Sequence, residues 1–170
     1  MDYATLVARL DCLVEETYAL WDAGWVGFNW RGYTYDHVQR VRGLALSLAR
    51  RSGSDLRVTE LAALLHDITK AYDGEYQVGP DGKRVVDAQG YWLCQPRYPK
   101  RENLVTRLYA ELGLQGQVHS ESGATLAEHL LTSWRVDGEL TKRVAQTIRD
   151  HLNPAPEAPV ESHCLFDADT

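Results

Sequence analysis

Apolar residues recur three and four positions apart along most of this 170-residue chain, and this spacing constrains its fold more than any other feature. Residues at that spacing share one face of an α-helix, so the pattern predicts amphipathic helices that each bury one side. The predicted helices cover 3–21, 35–51, 58 to about 71, 104–112, 119–133 and 139–152. Prolines end the last of them, at Pro154, Pro156 and Pro159. The sequence therefore predicts an all-α fold.

The helical pattern is interrupted between 73 and 101. Here 76–78 and 83–86 flank the turn sequence Gly-Pro-Asp-Gly at 79–82, which is typical of a tight turn between two short strands. We therefore expect a helical bundle with a small irregular or hairpin insertion around 73–101. The length of the chain predicts that this bundle and its insertion form one domain, 1–170.

Aromatic residues crowd the segment between the first two predicted helices, where glycines interrupt them. They are Trp21, Trp25, Phe28, Trp30, Tyr33 and Tyr35. We interpret this segment as a packed loop whose rings are buried in the core, in preference to a binding wall.

Charge and hydropathy exclude several classes of protein. A formal net charge of −6 and a pI near 5.5 argue against a broad nucleic-acid-binding face, although a few cations around a metal can hold a small phosphorylated anion. No apolar stretch is long enough to span a membrane, and the N-terminus lacks a basic start followed by an apolar block, so we expect a cytoplasmic protein without membrane association. Cys12, Cys94 and Cys164 are scattered, which is typical of reduced thiols. The oligomeric state stays open.

Histidines at the ends and on the inward faces of the predicted helices are the candidate functional residues: His37, His66, His119 and His151. The consecutive residues His66 and Asp67 come directly after an apolar run at 61–65. A carboxylate in that setting is costly unless a cation compensates its charge; the alternative is that Asp67 caps a helix or pairs with Lys70. Imidazole and carboxylate together favour Fe, Mn, Co, Ni or Zn over Mg or Ca.

The order of these residues resembles the His…His-Asp…Asp signature of HD-domain phosphohydrolases. His37 comes first, the run His-Asp-Ile-Thr-Lys at 66–70 follows, and a late aspartate lies in Leu-Phe-Asp-Ala-Asp at 165–169. The resemblance implies an HD-domain bundle in which His37, the pair at 66–67 and the late aspartate bind a divalent transition metal. Asp169 resembles the family's late ligand more closely than Asp167 does, and the lysine at 70 matches one that often follows the family's aspartate.

Two further segments resemble those that supply ligands to a second ion in two-metal HD hydrolases of dinucleoside polyphosphates and cyclic dinucleotides. They are His-Ser-Glu-Ser-Gly-Ala at 119–124 and Ile-Arg-Asp-His at 148–151. The resemblance thus implies one or two ions, with His119 and His151 as ligands of the second. Gly123 lies on the same predicted helix face as His119, and its small size would let a neighbouring helix approach closely. His129 and His163 match no ligand of the family.

The function implied is hydrolysis of a phosphate ester or anhydride in a nucleotide-like small molecule, for example a nucleoside phosphate or a dinucleoside polyphosphate. Asp67 would ligate or bridge the ions, and Lys70 would neutralise charge that develops on the phosphoryl group. Two other functions stay open: oxygen chemistry at paired iron, and nucleotide sensing without turnover.

Three arginine and lysine residues outside the signature are candidate substrate contacts. Arg40 follows His37 by one helical turn, and an ordinary exposed arginine is the alternative. Arg97 and Lys100 lie at the end of the insertion, where they would form a lid over an anionic substrate; an ordinary solvated loop is the favoured alternative.

Overall fold

The computed structural model describes residues 1–21, 31–88, 90 and 93–170. Within these residues the chain forms seven α-helices and two short strands. They are α1 (Tyr3–Tyr18), α2 (Arg31–Ser52), α3 (Leu56–Leu65), β1 (Glu75–Tyr76), β2 (Cys94–Gln95), α4 (Leu104–Glu111), α5 (His119–Ser133), α6 (Gly138–Asp150) and α7 (Val160–Asp169). The all-α prediction is confirmed. Among the described helices, none has the length and apolar content needed to cross a lipid bilayer.

Helix α3 is the centre of the bundle. It packs against α1, α2, α5, α6 and α7, and every residue from 61 to 65 is fully buried. A helix that is apolar on all sides is stable only when other elements surround it, and each buried leucine contributes roughly 1.5–3 kcal/mol. The C-terminal end of α3 therefore lies inside the protein.

The N-terminal end of α3 is tied to α6 and α7 by charged groups. Asp55 caps the helix, and its Oδ1 accepts a hydrogen bond of 3.0 Å from the backbone amide of Arg57. Arg143 of α6 donates to Asp55 Oδ2 and to Glu161 Oε1 of α7, each at 3.0 Å. Glu161 in turn accepts from the Asp55 amide at 2.8 Å. These contacts fix the position of α3 relative to α6 and α7.

The prediction that the third helix continues to about residue 71 is wrong, because α3 ends at Leu65. Beyond it the amide of Ile68 donates to the Leu65 carbonyl at 3.1 Å and that of Lys70 to the Asp67 carbonyl at 3.0 Å. A short 3-10 helix follows at Lys70–Tyr72. This i→i−3 pattern turns successive side chains by about 120° instead of about 100°. The chain therefore tightens at the residues that carry the His-Asp pair.

Helix α7 was not predicted from the sequence. The prolines end the preceding segment as expected, but Pro159, with φ −52° and ψ 148°, occupies the N-cap position of a new helix. Leu165 of α7 is fully buried, and α7 packs against α2, α3 and α6. This helix brings the C-terminus of the chain back to the middle of the bundle.

The second helix begins four residues earlier than predicted. Since α2 starts at Arg31, Tyr33 belongs to a helix and not to the predicted aromatic loop, while Tyr35 is helical, as the predicted helix 35–51 implied. Trp21 is buried, as predicted. Trp25, Phe28 and Trp30 lie outside the described residues.

The insertion contains the predicted hairpin. The Gly82 amide donates to the Gly79 carbonyl at 3.0 Å, which closes the turn, and Val78 and Arg84 form an antiparallel bridge beside it. At the base of the insertion β1 pairs with β2 in antiparallel register, with Glu75 opposite Gln95. Both ends of the insertion are thereby held next to the 3-10 helix that follows α3.

Candidate metal centre

The His-Asp pair lies at the end of the central helix, with almost no exposure to solvent. His66 occupies the C-cap of α3 and is 0% exposed, and Asp67 is 1% exposed. An ionised carboxylate at this depth is strongly destabilised unless positive charge surrounds it. What surrounds Asp67 therefore decides what the site can bind.

One group of ligand atoms faces Oδ2 of Asp67. His37 Nε2 of α2 lies 3.6 Å and His66 Nε2 3.5 Å from this oxygen. Asp169 Oδ1, at the end of α7, lies 2.8 Å from His37 Nε2 and 3.5 Å from His66 Nε2. The four side chains form the first group, and their ligand atoms are all within 4.8 Å of one another.

A second group faces the other oxygen of the same carboxylate. His119 Nε2, at the start of α5, lies 3.4 Å from Asp67 Oδ1, and His151 Nε2, at the C-cap of α6, lies 3.8 Å from it. Together with Asp67 they form the second group. Asp67 is thus shared, with one oxygen directed to each group.

The ring orientation of the histidines is set from outside the site. His66 Nδ1 lies 2.8 Å from the Ala63 carbonyl and His151 Nδ1 2.6 Å from the Ile148 carbonyl. Because a carbonyl oxygen can only accept, Nδ1 of each ring carries a proton, and Nε2 is the ring atom left to bind a metal. Metal-ligating histidines are commonly oriented in this way.

Several buried polar atoms at this point have no hydrogen-bond partner among the described residues. They are Nε2 of His66, His119 and His151, and Oδ1 of Asp67. Buried polar atoms in native proteins are nearly always paired, so a cluster of acceptors that converge without donors calls for a cation. Ligands lie about 2.0–2.2 Å from a bound transition metal, which places two ligands of one ion about 3–3.5 Å apart. The separations given above, from 2.8 to 3.8 Å, lie close to that range, so each group could hold a metal ion.

The electrostatics of Asp67 and His151 agree with this interpretation. Burial raises the pKa of Asp67, but the positive charge of Lys70 opposes burial, and the net pKa lies below its ordinary value. Burial and the neighbouring His66 lower the pKa of His151 to about 3. At neutral pH Asp67 is therefore ionised and His151 neutral, which are the forms that ligate metals.

Lys70 lies at the edge of the cluster, with its Nζ 3.1 Å from Asp67 Oδ2. This ion pair is the one that the sequence left open as an alternative for Asp67, and it coexists with the two ligand groups. Burial lowers the pKa of Lys70, but Asp67 and Asp169 outweigh it and raise the net pKa, so the ammonium stays charged. The side chains of Lys70, His37 and Asp169 are 16%, 18% and 14% exposed, which makes this edge the solvent-facing side of the first group.

The structure separates the two late aspartates that the sequence left as alternatives. Asp169 lies in the first group, whereas Asp167, two residues earlier on α7, is exposed. Of the two remaining histidines, His129 is exposed on α5 and His163 is half-buried on α7; neither belongs to a ligand group.

The other predicted substrate contacts are surface residues. Arg40, Arg97 and Lys100 are all exposed. The amide of Arg97 donates to the carbonyl of Tyr72 at 3.2 Å, which fixes the backbone of the predicted lid beside the 3-10 helix. Whether these side chains contact a substrate stays a prediction.

Two residues beside the ligands were missed from the sequence. Asp73 Oδ2 lies 2.6 Å from His119 Nδ1, and the Tyr18 hydroxyl donates to the Asp67 carbonyl. Asp73 gave no signal, because it lies six residues after Asp67, at the start of the predicted insertion. Tyr18 gave no signal beyond its place on the apolar face of α1. Gly123 was predicted to allow close approach, and this is confirmed, because a Cβ there would lie 3.3 Å from the His66 carbonyl oxygen.

Comparison with known proteins agrees with the fold. Residues 34–93 match the HD domain family. The structure is similar to the crystal structure of a predicted HD superfamily hydrolase from an uncultured Thermotogales bacterium, with a TM-score of 0.58 and 22% sequence identity over 99% of this chain and 72% of that one. No curated protein matches the chain in sequence. The chain therefore contains a segment that matches the HD domain, and it has the all-helical HD fold around a histidine and aspartate cluster that could hold metal.

Proposed function

We propose that this protein is a metal-dependent phosphohydrolase that cleaves a phosphate ester or anhydride in a nucleotide-like small molecule, such as a nucleoside phosphate or a dinucleoside polyphosphate. The observation that carries the proposal is the shared carboxylate of Asp67. Its two oxygens face two separate ligand groups, and the ammonium of Lys70 lies 3.1 Å from one of them. This arrangement suits two cations acting on one phosphoryl group. The likeness to a predicted hydrolase supports hydrolysis as the reaction class.

The residues of the site have distinct roles in this proposal. A bound divalent transition metal (Fe, Mn, Co, Ni or Zn) supplies Lewis-acid polarisation of a phosphoryl oxygen and lowers the pKa of water. Asp67 holds the two ligand groups at a fixed separation, since both share its carboxylate. His66 and His151 are held by backbone carbonyls, so their Nε2 atoms need no rearrangement to bind.

In this proposal Lys70 binds the substrate's phosphoryl group. Its ammonium lies on the solvent-facing edge of the first group, where a phosphate would approach from solution. A fixed cation there would neutralise negative charge that grows on the phosphoryl oxygens in the transition state. The net charge of −6 makes a small anion with local contacts a more suitable substrate than a nucleic acid.

The deciding experiment combines metal analysis with a screen for hydrolysis products. Protein purified without chelator is analysed for bound transition metals, and the release of nucleotide products and of inorganic phosphate is then measured by chromatography over a panel of nucleoside phosphates, dinucleoside polyphosphates and cyclic dinucleotides. Asp67→Asn is expected to abolish release, because the carboxylate is shared by both groups. Asp169→Asn should remove most of the activity, whereas the matched change Asp167→Asn, two residues away on the exposed side of α7, should leave it unchanged.

The outcomes separate the alternative functions. Release that proceeds equally without dioxygen supports hydrolysis, while turnover only in the presence of dioxygen would replace it with iron-dependent oxygenation. Stabilisation by a nucleotide without any release would indicate a sensing module. Equal rates of product release by wild type and Asp67→Asn would refute the proposal.

A further inference from the structure

We propose that Asp73 is a positioning residue that orients His119 toward the second ligand group, and that the base of the insertion holds Asp73 in place. The inference rests on the proposed function in one respect, since it takes the second group to bind a cation. Asp73 is not part of the His-Asp signature, and it is the first residue of the insertion.

The contact between the two side chains is short and directional. Asp73 Oδ2 lies 2.6 Å from His119 Nδ1, and the carboxylate can only accept, so the proton lies on Nδ1. The opposite ring atom, Nε2, then carries the lone pair, and it lies 3.4 Å from Asp67 Oδ1. The Asp73 carboxylate thus fixes both the tautomer and the direction of the ring.

His119 needs a partner from outside its own helix. His66 and His151 each place Nδ1 against the carbonyl three residues earlier, at Ala63 and Ile148, in the last turns of α3 and α6. His119 is the first residue of α5, so no preceding helical turn offers it such a carbonyl. In this structure the acceptor comes from another element, as the side chain of Asp73.

The insertion fixes where Asp73 lies. Its amide donates to the Lys70 carbonyl at 3.0 Å, at the end of the 3-10 helix. The next residue, Gly74, has φ +76°, and a Cβ on it would lie 1.6 Å from the carbonyl oxygen of Gln95 in β2. Only glycine permits that approach of the two chain segments. The returning end of the insertion is therefore packed directly against the residue that follows Asp73.

The test measures metal binding and ring protonation, not activity alone. The metal-free full-length protein is titrated with Co²⁺ by calorimetry and visible absorption, and the protonated ring nitrogen of His119 is identified by ¹⁵N NMR. Wild type is expected to bind two equivalents. Asp73→Ala should lower the affinity for the second Co²⁺ equivalent by about 10–100-fold, because loss of an outer-shell partner of a metal ligand typically has an effect of that size. The affinity for the first equivalent should stay unchanged.

Variants close to Asp73 sharpen the interpretation. Asp73→Asn keeps an oxygen that can accept from Nδ1, so it should lose less affinity than alanine and retain the Nδ1-protonated tautomer. Gly74→Ala should weaken the same equivalent by displacing the base of the insertion. Asp81→Asn changes an exposed acid at the hairpin turn and should bind both ions as wild type does.

The outcomes distinguish failure of this inference from failure of the proposed function. If His119→Ala loses the second equivalent while Asp73→Ala and Asp73→Asn keep it with an unchanged tautomer, the role of Asp73 is refuted and the metal centre stands. If wild type binds only one Co²⁺ equivalent, or if His119→Ala still binds two, the second group is not a cation site. The inference about Asp73 is then refuted as well. If circular dichroism shows that Asp73→Ala is unfolded, the Asp73→Asn and Gly74→Ala variants decide, again by Co²⁺ binding and by the ¹⁵N NMR of His119.

Discussion

Removing one hydroxyl group from Tyr18 should destabilise the protein by an amount that the structure allows us to work out. Tyr18 ends α1, is 4% exposed, and its hydroxyl donates to the carbonyl of Asp67. Burial and the charge of Asp67 raise the pKa of Tyr18 well above its ordinary value, so the hydroxyl keeps its proton. Tyr18→Phe keeps the ring and opens no large cavity.

The cost of this change is close to that of a single hydrogen bond. The Asp67 carbonyl also accepts the amide of Lys70 at 3.0 Å, so it keeps one partner when the Tyr18 hydroxyl is removed. We therefore expect a loss of about 1 kcal/mol in the free energy of unfolding, and not the larger penalty of an unsatisfied buried group. For a protein of this size that corresponds to a fall in Tm of about 2–4 °C.

Thermal and urea unfolding of the metal-free protein, followed by circular dichroism, measure the effect. Metal is left out because binding to the folded state would add its own stabilisation. Tyr98→Phe is the control, since its ring is 56% exposed and the change should stay within about 0.5 kcal/mol. A Tyr18→Phe protein with the Tm of wild type would show that the hydrogen bond between α1 and Asp67 does not contribute to stability.

Three further predictions concern the bundle that supports the site, each measured by urea unfolding. Leu130→Ala, at a fully buried position of α5, should cost about 2–5 kcal/mol, while Leu44→Ala, at a position 56% exposed on α2, should cost less than about 1 kcal/mol; equal effects would contradict the assigned burial. Gly43→Ala should stabilise α2 by roughly 0.5–1 kcal/mol, because a Cβ there meets open space, and a loss would indicate a contact that the structure does not contain. Asp55→Ala should cost about 1 kcal/mol or more as the cap of α3 is lost. Burial raises the pKa of Asp55, but hydrogen bonds from backbone amides outweigh burial and the net pKa is lowered. The contribution of Asp55 to stability is therefore present above the ordinary carboxyl range and is lost as pH falls through the lowered pKa. A difference in stability between Asp55→Ala and wild type that persists in acid would refute this.

Local pattern was sufficient for most helices and for the hairpin. The segment 119–133 was predicted with the bounds that α5 has, since its apolar residues recur at helical spacing and its flanks are glycine-rich. The turn at 79–82 followed from its Pro-Asp-Gly sequence. The predicted end of the third helix was wrong because the sequence up to residue 71 keeps a helical composition. Only the hydrogen bonds reveal the change to a tighter turn after Leu65. Helix α7 was missed because its short pattern follows three prolines.

The sequence by itself determined that the chain is helical and that His37, His66 and Asp67 are candidate ligands, because residue type and spacing are local properties. Only the tertiary structure decided that Asp169 and not Asp167 reaches them, and that the two oxygens of Asp67 face different groups. The tertiary structure also brings Asp73 into contact with His119, although the two residues are 46 positions apart in the chain. Such contacts depend on how helices pack and where a turn tightens, and a shift of one residue along a helix rotates a side chain by about 100°.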